Sequence, residues 1–310
     1  MNHDRSYCLI SPCKDEAEYA RRTLDSILRQ TAKPTRWVIV DDGSTDATPE
    51  ILDAYAREHS FIQVVRRADR GGRRVGGGVI EAFNEGYRSI DPSQYAYLCK
   101  LDLDLDIPAS YFETMMDKME ADPHLGTCSG KPYYSDANGN LVSEMCGDET
   151  SVGMIKFYRR ECFEAIGGFV QQVMWDGIDC HRCRMLGYKA MSWDEPEIRF
   201  IHLRPMGSSH RGILTGRMRH GFGQYFMGTG LAYMAASAAF RMTRPPRIIG
   251  GAAMLTGYMK AMIDGSPRYD DLEFRSFLRR YQRNCLIKGK AAATRELNER
   301  IDRGEPTVPV

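Results

Sequence analysis

The sequence is short of the signatures that place a chemistry at a glance. It has no Gly-x-x-x-x-Gly-Lys-Ser/Thr loop and no Gly-x-Gly-x-x-Gly after a strand, so neither a P-loop phosphotransferase nor dinucleotide binding is supported. Its nine cysteines are irregularly spaced, which argues for free thiols in a reducing compartment and against a disulfide scaffold. Cys180-His-Arg-Cys183 is a Cys-x-x-Cys, but no second pair completes a zinc site. Its place on a predicted helix also lacks the strand-to-helix setting of a redox motif. No secretory leader is expected, because Met-Asn-His-Asp-Arg-Ser runs directly into a core strand. Long hydrophobic runs are missing too. Gly221 to Phe240 carries no formal charge and Ile248 to Met259 is a second apolar run, yet both are rich in small residues and neither predicts a spanning helix.

What is present divides unevenly along 310 residues, a length that suits one large α/β domain with a C-terminal appendage. The near-neutral total hides 24 Lys and Arg against 33 Asp and Glu before residue 201, and 18 against 8 after it. Apolar helices with flanking arginines, here Arg241, Arg244 and Arg247, can lie in a membrane interface and attract anionic lipid. A helical subdomain covering the catalytic face, or forming a dimer contact, fits the same residues, and both readings stay open. A last helix around Phe274 to Leu286 carries Arg275, Arg279, Arg280 and Arg283 at helical spacing, a solvated face or one suited to lipid phosphate. Residues 291–310 read as a charged helix end, with Gly304 to Val310 as a loose tail.

Two acidic motifs carry the chemistry. Residues 36 to 46 form an apolar strand that ends in Asp41, Asp42 and a Gly-Ser turn, at the carboxyl end of a strand where open α/β sheets bind ligands. Ser44 or Asp46 can cap the next helix while Asp42 faces a ligand. Residues 95 to 108 form a second buried strand that runs into Asp102, Asp104 and Asp106. If the segment stays extended, all three carboxylates share a face. Such crowding calls for a hard divalent cation, Mg²⁺ or Mn²⁺, with substrate phosphates completing its shell. Between the motifs, Arg70-Gly-Gly-Arg-Arg-Val-Gly-Gly-Gly offers guanidinium groups and approachable amides. Arg73 and Arg74 are the residues chosen for a diphosphate, and a plain flexible loop is the alternative.

In this order and spacing the motifs resemble glycosyltransferase family 2, nucleotide-sugar transferases of GT-A fold. The opening Leu-Ile-Ser-Pro-Cys-Lys-Asp-Glu is similar to that family's first strand and Pro-x-x-Asn-Glu turn, with Pro12, Asp15 and Glu16 in matching places; Asp15 stands where Asn is usual. Asp41 and Asp42 match the nucleoside-binding carboxylates, and Asp102 with Asp104 match the Asp-x-Asp metal motif. Asp106 is an addition that leaves the ligand pair open. Counting back from Gly187-Tyr188 places Asp176 on the family's base and Trp175 where Glu is usual, with Asp179 in reserve. A histidine after the base helix can approach the metal in related enzymes, and His202 fits that place better than His210 because it ends a strand-like run. Trp175 is either a wall for the acceptor sugar or a packing residue.

The resemblance implies a Rossmann-like, mostly parallel sheet flanked by helices, with a C-terminal helical extension. Residues 1–215 would be catalytic, with a nucleotide half over about 1–108 and an acceptor half over about 109–215, followed by a basic helical segment over 216–290. It implies an inverting glycosyltransferase that moves a sugar from a nucleotide-diphosphate donor, with UDP favoured, to a glycan or lipid-linked hydroxyl in surface polysaccharide synthesis. The cofactor would be Mn²⁺ or Mg²⁺. The setting would be cytoplasmic, at the inner face of the plasma membrane if the basic helices touch anionic lipid, and no nucleic-acid partner is expected. Sugar choice would fall to segments such as Gly130-Lys131-Pro132-Tyr133. A nucleotidyltransferase and a catalytically degenerate nucleotide-sugar-binding scaffold are the alternatives.

Overall fold

A computed structural model describes residues 4–69, 71, 76–204, 212–244 and 246–308. The chain falls into two compact units, Met1–Gln171 with Tyr188–Pro205 and Gln172–Gly187 with Met206–Val310. In chain order the elements are β1 (Tyr7–Cys13), α1 (Ala20–Leu28), β2 (Arg36–Asp41), α2 (Thr48–Glu58), β3 (Ile62–Arg66), α3 (Gly77–Arg88), β4 (Tyr97–Leu101) and β5 (Leu105–Asp106). Then come α4 (Tyr111–Ala121), β6 (Leu125–Ser129), β7 (Pro132–Ser135), β8 (Leu141–Ser143), β9 (Ile155–Arg159), α5 (Arg160–Ala165), α6 (Trp175–Met185), β10 (Lys189–Ser192) and β11 (Phe200–His202). Five further helices follow: α7 (Gly212–Met227), α8 (Leu231–Met242), α9 (Ile249–Ile263), α10 (Leu272–Lys288) and α11 (Lys290–Asp302).

The first unit holds a seven-stranded sheet in the order β10-β6-β9-β4-β1-β2-β3. It is parallel except for β9, which runs against both β4 and β6. Strands of a parallel sheet are covered on both faces and read as continuous apolar runs; β1, β2 and β4 do so, and nearly every residue in them is buried. Trp37 at the centre donates its indole N–H to Ser11 Oγ at 2.9 Å, so its one polar atom is satisfied in the core. The connections after β1 and β2 carry the chain to one side of β1, while β4 pairs on the other. The β1/β4 boundary is therefore a topological switch point, where the loops at the strand ends part and leave a crevice.

The apolar run into the second acidic motif does not stay extended. β4 stops at Leu101, Asp102 to Asp104 form a turn, and Leu105–Asp106 joins a separate four-stranded sheet in the order β5-β11-β7-β8. The register Leu105↔His202 in the antiparallel β5–β11 pair lays His202 along the acidic segment.

The second unit comprises α6 and α7 to α11, so the helix bearing Asp176 groups with the C-terminal helices instead of with residues 1–171. Helices α7 and α9 meet backbone to backbone. A Cβ on Gly221 would stand 1.9 Å from Met254 O and one on Gly257 would stand 2.0 Å from Met218 O, so neither position accepts a larger residue without moving a helix. Gln282 of α10 braces the α7–α8 turn, accepting from Gly230 N at 3.0 Å and donating to Thr229 Oγ1 at 3.1 Å. Leu297 and Ile301 pack on Phe277 and Tyr281, and within the stretch expected to be a loose tail Thr307 Oγ1 donates to Met185 O. Among the described residues no helix is long and apolar enough to cross a membrane.

Candidate active site

The first site element is where β1 and β2 end in register, Cys13 opposite Asp41. The two outgoing turns are stitched together. Asp42 N donates to Cys13 O at 2.8 Å, Glu16 N to Thr48 Oγ1 at 2.8 Å and Ala17 N to Asp46 Oδ2 at 3.0 Å. Asp15 adopts φ +53° and accepts from Thr45 N at 2.8 Å. Asn and Asp are the side chains that tolerate this left-handed conformation, so the exchange of Asn for Asp at this turn keeps the backbone geometry. Gly43, at φ +74°, lies so close to the next loop that a Cβ would sit 2.4 Å from Asp69 Cα.

These turns fix both acids of the pair. Asp41 is buried, accepts from Ser44 N at 2.8 Å, and has its other oxygen 3.5 Å from Arg66 Nη1. Asp42 Oδ1 stands 3.1 Å from Arg67 Nη1, whose other arm donates to Glu81 at 2.6 Å. Lys14, also buried, donates to the carbonyl of Asp42 at 3.3 Å and to the Asp69 carboxylate at 2.8 Å. Burial works against the Lys14 charge, but Asp69, Asp15 and Asp42 together outweigh it and the ammonium is held above its usual range. Asp46 has the helix-side role, taking the first-turn amide of Thr48 at 2.9 Å.

The second element gathers around Asp104. Asp102 N donates to Met154 O at 2.8 Å and its carboxylate takes the buried Lys100 ammonium at 2.5 Å. Asp104 is 6% exposed, and its Oδ2 lies 3.7 Å from both His202 Nε2 and Arg204 Nε. On the far edge of the imidazole, Nδ1 is 3.0 Å from Glu144. Burial disfavours the imidazolium, but Asp104 and Glu144 outweigh it and raise the His202 pKa to about 9. Arg204 pairs with the buried Glu16 carboxylate and lies over the Tyr19 ring at 5.0 Å.

Asp106 does not join this group. Its two oxygens accept from Arg22 at 2.8 Å and Arg29 at 3.1 Å, because the break after Leu101 removes the alternation that would have aligned three acids. Of the three expected cation ligands, Asp104 and His202 face each other, while Asp102 is paired with Lys100. A gap of 3.7 Å is too long for a hydrogen bond and suits two ligands of one ion at about 2.1 Å each. A carboxylate beside an imidazole is a ligand pair that suits Mn²⁺, which accepts both types, better than Mg²⁺. Glu144, on the other ring nitrogen, is the kind of partner that fixes the tautomer of a metal-binding histidine. Arg73, Arg74 and His210 lie outside the described residues.

In the second unit, Asp176 occupies the first turn of α6 and is half-buried, whereas Asp179 is 1% exposed. Trp175 is buried, which favours its packing role over an open aromatic wall. His220 of α7 is near enough to Asp176 to feel its charge and lies 3.3 Å from the Gln224 amide. Lys14, Arg204, Glu144 and His220 are the residues that sequence reasoning missed. Only Lys14 gave a local signal, two positions after Pro12 in the first turn.

Residues 8–175 match the family described as Glycosyl transferase family 2. The chain belongs to this family. The match takes in both acidic motifs and stops one residue before Asp176, so the base is carried by the motif reading alone. Among curated relatives, poly-beta-1,6-N-acetyl-D-glucosamine synthase of Staphylococcus epidermidis is 31% identical over 131 residues, covering 42% of this chain and 29% of that one. This family member thus spans under a third of that relative. Two solved structures share the fold: S. aureus TarS with UDP-GlcNAc, at TM-score 0.55, 15% identity, and coverage of 97% and 92%, and mannosyltransferase PcManGT from Pyrobaculum calidifontis with GDP-Man and Mn²⁺, at 0.52, 20%, and 97% and 86%.

Proposed function

We propose that this chain is an inverting glycosyltransferase that moves a sugar from a nucleoside-diphosphate donor, a UDP-sugar, to a hydroxyl of a glycan or lipid-linked acceptor in surface polysaccharide synthesis. The observation that carries the reading is the meeting of Asp104, His202, Arg204 and Glu16 at the sheet's switch point, beside strand ends that also present Asp41 and Asp42. Asp41 and Asp42 accept from the nucleoside, their orientation set in advance by Ser44 and the Arg66 and Arg67 guanidinium groups. Arg204 turns a forked donor toward phosphate oxygens, a geometry Lys cannot reproduce. A cation held by Asp102, Asp104 and His202 would supply Lewis-acid relief of charge on the departing diphosphate. Asp176 takes the proton of the attacking hydroxyl as the new bond forms, and a single displacement inverts the anomeric centre.

The test is a thermal-shift panel of UDP-, GDP-, CDP- and dTDP-sugars, each with and without Mn²⁺, on the native chain and on Asp104→Ala. A ligand at a hundred times its Kd stabilises by about 2.7 kcal/mol. A metal-dependent rise with the UDP-sugar, lost in Asp104→Ala, is the expected result. A rise with another nucleotide alone would overturn the donor assignment. Binding without transfer to any glycan or lipid-linked hydroxyl would support a degenerate scaffold instead.

A further inference from the structure

Helix α9 is apolar on two opposite faces. One face packs into the second unit through Met254, Tyr258 and Ala261. The other exposes Ile249, Ala252 and Ile263 at helical spacing, Ile263 by 77%, with the half-buried Leu255 and Met259 bridging the two faces. A solvent-facing stripe is normally polar; among the described side chains this one shows a single charged residue, Lys260, which pairs with Asp264 at 2.9 Å. Met242 at the end of α8 joins the stripe to form an open groove of about 510 Å³. Phe240 and Ile248, 60% and 68% exposed, flank the α8–α9 turn.

Apart from Asp264, which is neutralised by Lys260 at the groove's end, the charge around this face is positive. From Ile198 to Ile263 the sequence has no Asp or Glu and nine Lys or Arg. Arg241 and Arg244 bracket Met242, and the Arg244 guanidinium lies 4.6 Å over the Phe240 ring. Arg217, Arg241 and Arg244 stand close enough that, besides burial, each of the first two is pushed down by the next cation. A second copy of the chain, packing by two-fold symmetry, would set this arginine-rich strip, whose one acid is already paired, against itself. An anionic surface with an apolar interior complements both features.

We propose that the α8–α9 face beds into the interface of an anionic lipid bilayer, with acyl chains in the groove from Met242 to Ile263 and headgroup phosphates on Arg241, Arg244 and Arg247. The amphipathic arrangement is that of a helix lying in the headgroup region, not crossing it. The inference is independent of sugar transfer, since it uses no residue of the metal or nucleotide site.

The experiment uses the full chain without donor or metal, sedimented with phosphatidylcholine vesicles that contain or lack phosphatidylglycerol. We expect binding to the anionic vesicles only, weakened by salt, and reduced about a hundredfold when Arg241, Arg244 and Arg247 are all changed to Gln. An Ile263→Trp reporter should shift its emission to the blue and be quenched by brominated acyl chains, while Ile263→Glu should bind poorly yet melt like the native chain. Absence of vesicle binding, or binding with an unchanged Ile263→Trp spectrum, would overturn the proposal. So would a concentration-dependent dimer dissolved by Ile263→Glu, which would give the face to a second copy. A chain that transfers sugar normally but ignores vesicles would sink this inference alone.

Discussion

Glu144 sits 3.0 Å from Nδ1 of His202 and leaves Nε2 facing Asp104 across 3.7 Å. The two residues are 58 positions apart, and the His202 and Glu144 side chains are only 9% and 4% exposed. A carboxylate behind a metal-binding imidazole fixes its tautomer and raises its basicity, and losing it costs about 10- to 100-fold in metal affinity. Glu144→Gln should therefore weaken Mn²⁺ binding by that amount in a calorimetric titration while leaving metal-free nucleotide binding in place. Unchanged Mn²⁺ affinity would mean that His202 is not a ligand.

Asp104 and Asp106 should behave oppositely. Asp106 joins Arg22 and Arg29, both more than half exposed, and exposed ion pairs contribute about 0–1 kcal/mol. Asp106→Asn should lower the melting temperature slightly and keep metal-dependent nucleotide stabilisation. Asp104→Asn should abolish that stabilisation. If Asp106→Asn instead removes the Mn²⁺ response, the alignment of three acids on one face would have to be restored.

How much of this was legible in advance follows from distance along the chain. The strands ending at Asp41 and Leu101 announce themselves as apolar runs closed by acids, and Pro12, Glu16 and Asp15 sit in a turn whose spacing survives the change from Asn to Asp. Glu144 and His220 were invisible because each meets its partner only through tertiary packing, 58 residues away in one case. Asp106 was misjudged for a local reason: periodicity through Leu101-Asp-Leu-Asp-Leu looks unbroken, and the turn at 102–104 interrupts it. The grouping of α6 with the later helices likewise depends on contacts that no window of sequence contains.

Acid should loosen the helical unit. His181 and His220 are both held neutral, chiefly by burial, with Arg184 adding to the effect at His181 and Asp176 opposing it at His220. Their folded pKa values are depressed below the unfolded value of about 6.5, so the unfolded chain binds more protons at low pH. Stability from these groups is present above about pH 6.5 and is lost as pH falls below it. Melting curves recorded from neutral to mildly acidic pH should show the loss, and His181→Gln with His220→Gln should flatten it. An unaltered pH slope in the double variant would assign the loss to other groups.

The half-buried Asp176 and the buried Asp179 separate the two candidates for the base. A general base must reach the acceptor hydroxyl, and removing one costs about 10²- to 10⁴-fold in rate. Asp176→Asn should reduce kcat within that range while the Kd for the nucleotide-sugar, read by the same thermal shift, stays constant. Asp179 lies on the inner side of α6 and takes the Cys180 amide at 2.6 Å, so Asp179→Asn should show as a lower melting temperature, with kcat preserved where the protein remains folded. A reversal, in which Asp179→Asn folds normally and loses turnover while Asp176→Asn does neither, would move the base one helical turn along α6 and leave Asp176 as the charge beside His220.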